Sequence, residues 1–322
     1  MVIIGSFSRA EESVILVAVF RIKCMKEGLH HLLLPHELQK LSGLTLQSRY
    51  VVEGSLAGRH RSPLRGASTE FADHRAYFPG DDPKRLDWKV LGRTDRYFVR
   101  RYEDETNLRT YLIVDRSASM GYAPVAMSKY QYACRLAAAL GYIVIKVRDS
   151  IGLYLYSNQI DVALGARNSF QHLNTVLRVL GQHKPANKTN TAQTLHQIAD
   201  SIQRRALIIL LSDLFDDPEG ILKALAHFRK QHHDVILFHI LDQTELDLSF
   251  NRPAEFIDLE TDEKLLVDPR GVAPTYRAAV KKFLDHYQDS CNQMKIDYRL
   301  VNTKQEPETF LKAYLEERKR CG

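Results

Sequence analysis

The stretch that decides the fold is RTYLIVDRSASMGY, Arg109 to Tyr122. Tyr111–Val114 is an unbroken apolar run that ends in Asp115, and Ser117 and Ser119 follow at alternate positions. A strand with no polar face has both faces covered, which is the pattern of a parallel sheet between two helical layers. Working outward, strands and helices alternate toward the C-terminus. Ser128–Val147 carries Ala133, Leu136, Ala137, Leu140, Val144 and Val147 on one helical face. Gly152–Tyr156 and Gln159–Ala163 read as strands, and Ser169–Leu180 and Thr191–Gln203 as helices. Ala206–Leu211 is a second wholly apolar strand. Pro218–Lys230 is a helix that opens with proline, where a missing N–H costs least. Val235–Ile240, the helix Pro274–Met294, Ile296–Val301 and the helix Pro307–Arg318 complete the series. The order predicts an α/β domain with a doubly wound, mostly parallel sheet. Asp242–Asp268 interrupts it, and EFIDLETDEKLLVDP reads as a hairpin insertion at about 242–268.

Upstream the texture differs. Residues 30–54 place Leu38, Leu41, Leu44 and Tyr50 at amphipathic helical spacing. Gly54–Asp104 is rich in Arg, Gly, Pro and Asp, with a turn at Pro79-Gly80-Asp81-Asp82-Pro83 and a short strand at Tyr97–Tyr102. Trp88 is expected to anchor the core of this appendage, and Glu103-Asp104-Glu105 to form a solvated acidic turn. The division expected is 1–28 as an N-terminal extension whose order the sequence leaves open, 29–106 as the helix and appendage, and 107–320 as the sheet domain.

Composition narrows the classes. The 45 Lys and Arg against 39 Asp and Glu give a formal charge of +6, which permits an acidic partner without arguing for nucleic acid. Cys24, Cys134, Cys291 and Cys321 have neither metal nor redox spacing, so a reducing compartment is expected. The apolar run Val14–Phe20 is far short of the roughly 20 residues that span a bilayer. No convincing signal-peptide cleavage site follows it, and the expected location is cytoplasmic. The 13 histidines are scattered, form no His-Glu-x-x-His, and are assigned to surface or loop positions.

Three loops carry the chemistry. One offers Asp115, Ser117 and Ser119. The second, NKTNTAQTL, offers Thr189 and Thr191, and the third, LLSDLFDD, offers Asp213. Adjacent strand ends lie about 5 Å apart, so these loops can converge. Carboxylates with hydroxyls are hard donors suited to Mg²⁺ or Mn²⁺. The competing reading is that Asp and Ser merely cap helices and turns.

Asp115-x-Ser117-x-Ser119, Thr189 and Asp213 together resemble the metal-ion-dependent adhesion site of von Willebrand factor A domains. The block from Gly58 to Gly121, LLSDLFDDPE (Leu210–Glu219) and the Asp258–Pro269 hairpin resemble the bacterial family called domain of unknown function 58, over roughly residues 35–318. The first resemblance implies that Ser117, Ser119 and Thr189 ligate a Mg²⁺ or Mn²⁺ ion, with Asp115 and Asp213 often acting through water. One position then stays open for a partner's carboxylate, and metal is held weakly until that partner arrives. The second resemblance implies a non-enzymatic role beside a MoxR-type AAA+ ATPase in maturing or remodelling an unknown client protein.

The basic block between residues 59 and 101 carries two readings. Its arginines pair internally with interleaved acids, or Arg59, Arg61 and Arg65 present a docking face to an acidic surface. Two other functions stay in view. A metal-dependent phosphoryl-transfer enzyme would need an acid two residues after Asp115, where Ser117 stands. An RNA-binding adaptor would use the Arg-rich face.

Overall fold

The computed structural model describes residues 2–4, 69–78, 86–104, 108–124, 127–186, 190–248, 254–257, 264–267 and 269–321, with the backbone alone at 2–4, 69–75, 100–104, 254–257, 264–267, 269–270 and 321. The chain divides into two compact units, residues 1–48 with 108–322, and residues 49–107.

The larger unit is built on six strands, β4 (Arg109–Asp115), β5 (Ser150–Tyr156), β6 (Ile160–Arg167), β7 (Leu207–Ser212), β8 (Asp234–Leu241) and β11 (Asp297–Asn302). Their order across the sheet is β11-β8-β7-β4-β5-β6. All neighbours are parallel except β6, which runs antiparallel to β5 at the edge. This is the doubly wound α/β layering expected of a von Willebrand factor A-like domain. The antiparallel edge was not foreseen. β6 alternates between half-buried and exposed residues, as an edge strand with one face in water should.

The central strands divide their side chains between two cores by the period of two that a pleated strand imposes. Leu112 and Val114 of β4, with Leu207, Ile209 and Leu211 of β7, face one layer. That layer contains α2 (Lys129–Lys146), α3 (Phe170–Gln182) and α8 (Pro307–Cys321). Tyr111 and Ile113, with Ile208 and Leu210, face the other, formed by α4 (Thr191–Ser201), α5 (Pro218–Lys230) and α7 (Pro269–Gln293). Leu112, Ile113 and Val114 are fully buried, and each such side chain contributes about 1.5–3 kcal/mol. Gly152 marks the closest packing, since a Cβ there would meet the Tyr111 ring at 2.6 Å and the Leu164 carbonyl oxygen at 2.8 Å.

The insertion holds α6 (Gln243–Asp247) and the antiparallel pair β9 (Ala254–Ile257) and β10 (Lys264–Val267). A third strand, β1 (Val2–Ile4), pairs antiparallel with β9. The helix predicted in residues 30–54 lies outside the described residues.

The smaller unit pairs β2 (Thr69–Ala76) with β3 (Phe98–Asp104), and carries α1 (Trp88–Thr94). Asp87 caps α1 by accepting from the backbone N–H groups of Lys89 and Val90. Trp88 is 65% exposed, not the expected core anchor; the buried apolar residues described here are Leu86 and Val99. As the first residue of the helix after its cap, Trp88 projects from the start of α1. Glu103 and Asp104 also depart from expectation, because they extend strand β3 opposite Glu70 and Thr69.

Candidate functional site at the carboxyl end of the sheet

β4 and β7 are neighbours, so their C-terminal ends place Asp115 beside Ser212 and Asp213. Asp115 is fully buried and satisfied from several sides. Its Oδ1 accepts from the Ser117 N–H at 2.8 Å, and its Oδ2 from Ser212 Oγ at 2.6 Å and the Tyr156 hydroxyl at 3.2 Å. Ser117 and Ser119 turn into the same space, where their hydroxyls hydrogen-bond to each other at 3.0 Å. Burial and the negative charge of Asp213 push the Asp115 carboxyl up to about 6, against the hydrogen bonds from Ser212 and Ser117.

Asp213 is held by the sharp turn that follows β7. Leu214 sits in the left-handed region at φ 55°, a conformation that costs a β-carbon residue on the order of 1 kcal/mol. His239 of β8 supports the turn from below. Its Nε2–H donates to the Asp213 carbonyl oxygen at 2.9 Å, while Nδ1 accepts from the Tyr298 hydroxyl at 2.9 Å. Burial pushes the His239 pKa down to about 4 and keeps the ring neutral. His239, fully buried, and His233, 1% exposed, correct the assignment of the histidines to surface and loop positions. An imidazole inside a strand is tolerated here because both nitrogens are paired.

Thr189 lies outside the described residues, but its flanks are anchored to both loops. The Ala186 N–H donates to the Arg116 carbonyl oxygen at 2.9 Å, and the Thr191 N–H to Asp216 Oδ2 at 2.8 Å. Thr191 Oγ1 is buried with no hydrogen-bond partner among the described residues. Arg59, Arg61 and Arg65 lie outside the described residues as well.

One component was missed from sequence. Lys129, the first residue of α2, is 1% exposed, and its Nζ donates to Asp213 Oδ2 at 2.7 Å and Glu245 Oε1 at 2.6 Å. The Phe215 ring covers it, with the centroid 4.7 Å from Nζ. Burial disfavours the ammonium, but the Asp213 and Glu245 carboxylates outweigh it and hold the Lys129 pKa above its ordinary value. The one local signal is a positive charge in the first turn of a helix, where it opposes the helix dipole but names no partner.

The donor set matches a hard divalent cation. The hydrogen-bonded serine hydroxyls, a buried carboxylate and the buried Thr191 hydroxyl are the oxygen chemistry that Mg²⁺ selects. Among the described residues no three His, Cys, Asp or Glu side chains form a metal-binding group.

The model of the family described as "Protein of unknown function DUF58" matches residues 73–285. The uncharacterized proteins Mb1516 of Mycobacterium bovis and Rv1480 of Mycobacterium tuberculosis are each 28% identical over 211 residues, covering 65% of this chain. The chain spans 66%, just under two thirds, of the length of these relatives. Among solved structures, BatB from Bacteroides thetaiotaomicron aligns at 14% identity and a TM-score of 0.43, over 66% of this chain and 98% of that one. The SpRpn10 VWA domain aligns at 11% identity and a TM-score of 0.38, over 64% of this chain and 94% of that one. No helix among the described residues is long and apolar enough to cross a membrane. The family match takes in well over half of the sequence, from the Arg-rich block through the Asp115 and Asp213 loops into α7, and the chain belongs to the DUF58 family.

Proposed function

We propose that this chain is a non-enzymatic protein-interaction module whose carboxyl-end rim uses a Mg²⁺ or Mn²⁺ ion as the adhesive for a partner's carboxylate. Ser117, Ser119 and Thr189 would hold the ion, with Asp115 and Asp213 supporting them at one remove. The ion would supply positive charge that a neutral hydroxyl cage leaves largely unspent. The observation that carries the reading is the pair of hydroxyls 3.0 Å apart beside the buried Asp115. The Ser117 hydroxyl does not cap the short 3₁₀ turn Ala118–Gly121 and instead hydrogen-bonds to that of Ser119. The protein's own residues do the positioning: Ser212 and Tyr156 orient Asp115, and the Leu214 turn with His239 fixes Asp213.

The partner proposed is a MoxR-type AAA+ ATPase, acting with this chain on a client protein in the cytoplasm. Arg59, Arg61 and Arg65 are proposed as a second contact with an acidic face of that partner. The test is retention of a purified MoxR-type ATPase on the immobilised chain, with Mg²⁺ or with chelator, for the native protein and Asp115→Ala. Retention is expected only for native protein with Mg²⁺. Equal retention in all four arms would contradict a metal bridge.

A further inference from the structure

The Lys129 ammonium is the feature of this rim that an oxygen cup for a divalent ion does not call for. It is not a surface lysine folded back, since its side chain is 1% exposed and both of its carboxylate partners are buried with it. Asp213 comes from the turn after β7 and Glu245 from α6, so two separate segments converge on one positive charge. Glu245 is fixed independently, because its other carboxylate oxygen accepts from the Asp242 N–H at 2.8 Å in the capping box of α6. The Phe215 ring covers the ammonium on another side. Placing a full charge here is costly unless the geometry is good, and both N–O distances are short.

We infer that Lys129 is a built-in cation of the rim that competes with the divalent ion for Asp213 and thereby sets how tightly that ion is held. The inference rests on the metal-adhesion reading proposed above and names its regulation. With Asp213 Oδ2 committed to Nζ, an entering ion meets only part of the carboxylate charge that the rim contains. It also meets a fixed like charge that weakens its binding. Such an ion stays electron-poor and has more to gain from an external carboxylate. Weak resting affinity and strong demand for a partner's acid then have one cause.

The test is calorimetric titration with Mn²⁺ of the full chain, native, Lys129→Met and Lys129→Arg. Lys129→Met should bind at least tenfold tighter than native, and Lys129→Arg, which keeps the charge, within about threefold of native. Because Lys129→Met leaves two carboxylates without a counter-ion and can unfold the chain, a second measurement uses the native protein. In a ¹⁵N-lysine-labelled sample, the Lys129 Nζ resonance should shift as Mg²⁺ is added. Unchanged or weaker Mn²⁺ affinity in folded Lys129→Met overturns the inference and leaves the metal reading standing. So does an unmoved Nζ signal in a sample that calorimetry shows to be loaded. Absence of metal binding in native and variant alike overturns both.

Discussion

The bodies of β4 and β7 and their carboxyl-terminal ends are equally buried and chemically opposite. Leu112, Ile113, Val114, Ile209 and Leu210 are at most 1% exposed, and so are Asp115, Ser117, Ser212 and Asp213. In the strand bodies burial is itself the source of stability, because every side chain leaving water is apolar. At the ends burial is a cost that each group recovers through a specific partner: Ser212 and Tyr156 for Asp115, Lys129 for Asp213. Depth in the molecule therefore does not separate scaffold from site. The kind of neighbour required does: the strand bodies need apolar cover, and the ends need particular polar partners.

That contrast predicts different responses to substitution. The largest loss belongs to the body: Leu210→Ala should destabilise the larger unit by about 3 kcal/mol in denaturant unfolding, within the usual range for a large-to-small core change, and leave the metal affinity of the folded fraction unchanged. Gly152→Ala should cost about 1–3 kcal/mol by the same assay, because the added methyl collides with a ring and with a carbonyl oxygen that cannot rotate away. Ser212→Ala should cost about 1–2 kcal/mol, but unlike the body variants it should also weaken divalent-ion binding, since it removes a group that orients Asp115. A core-like response from Ser212→Ala, with stability lost and metal affinity kept, would erase the distinction between body and rim.

The smallest effect sharpens the comparison at the opposite end of the sheet. Asp149, before β5, accepts from the Leu108 N–H at 3.0 Å, and burial pushes its pKa up to about 6 despite that bond. The folded state then holds its proton more tightly than the unfolded state does. The unfolded chain binds fewer protons between about pH 4 and 6, so this group's contribution to stability is full below pH 4 and is lost as pH rises through 6. Asp149→Asn keeps an acceptor and abolishes the ionisation. After a discount for partial exposure it should stabilise the protein by about 1 kcal/mol at pH 7.5, with little change at pH 4, seen as a higher Tm at the upper pH alone.

The scaffold was legible because its strands are apolar on both faces and its helices apolar on one. Tyr111–Val114 and Ala206–Leu211 announce buried parallel strands without any knowledge of their neighbours. Pro218 at the head of α5 behaved as the helix rules require. Those same rules misplaced the start of α7, which begins at Pro269 and runs on through Pro274. The direction of β6 was not legible either, because alternation reports which face is wet and not which way the chain runs.

The site was legible in part for a related reason. Asp115, Ser117 and Ser119 lie within five residues and end a recognisable strand, so local pattern suffices. Lys129 has its meaning only through Asp213 and Glu245, 84 and 116 residues further along. A lysine at the head of a helix reads as solvated unless those distant acids are known to meet it. His239 lies between these cases, for its setting in VILFHIL already marks it as interior.

Ligation of a divalent ion by the serine hydroxyls at the end of β4 is what the proposed adhesion chemistry requires. It is tested most directly by titrating Mn²⁺ into the native chain and into Ser117→Ala/Ser119→Ala, reading bound metal by electron paramagnetic resonance and folding by circular dichroism. One ion per native chain, and loss of at least 90% of that binding in a fully folded double variant, is the result expected. A folded double variant that binds Mn²⁺ as the native chain does would show that these oxygens are not the ligands.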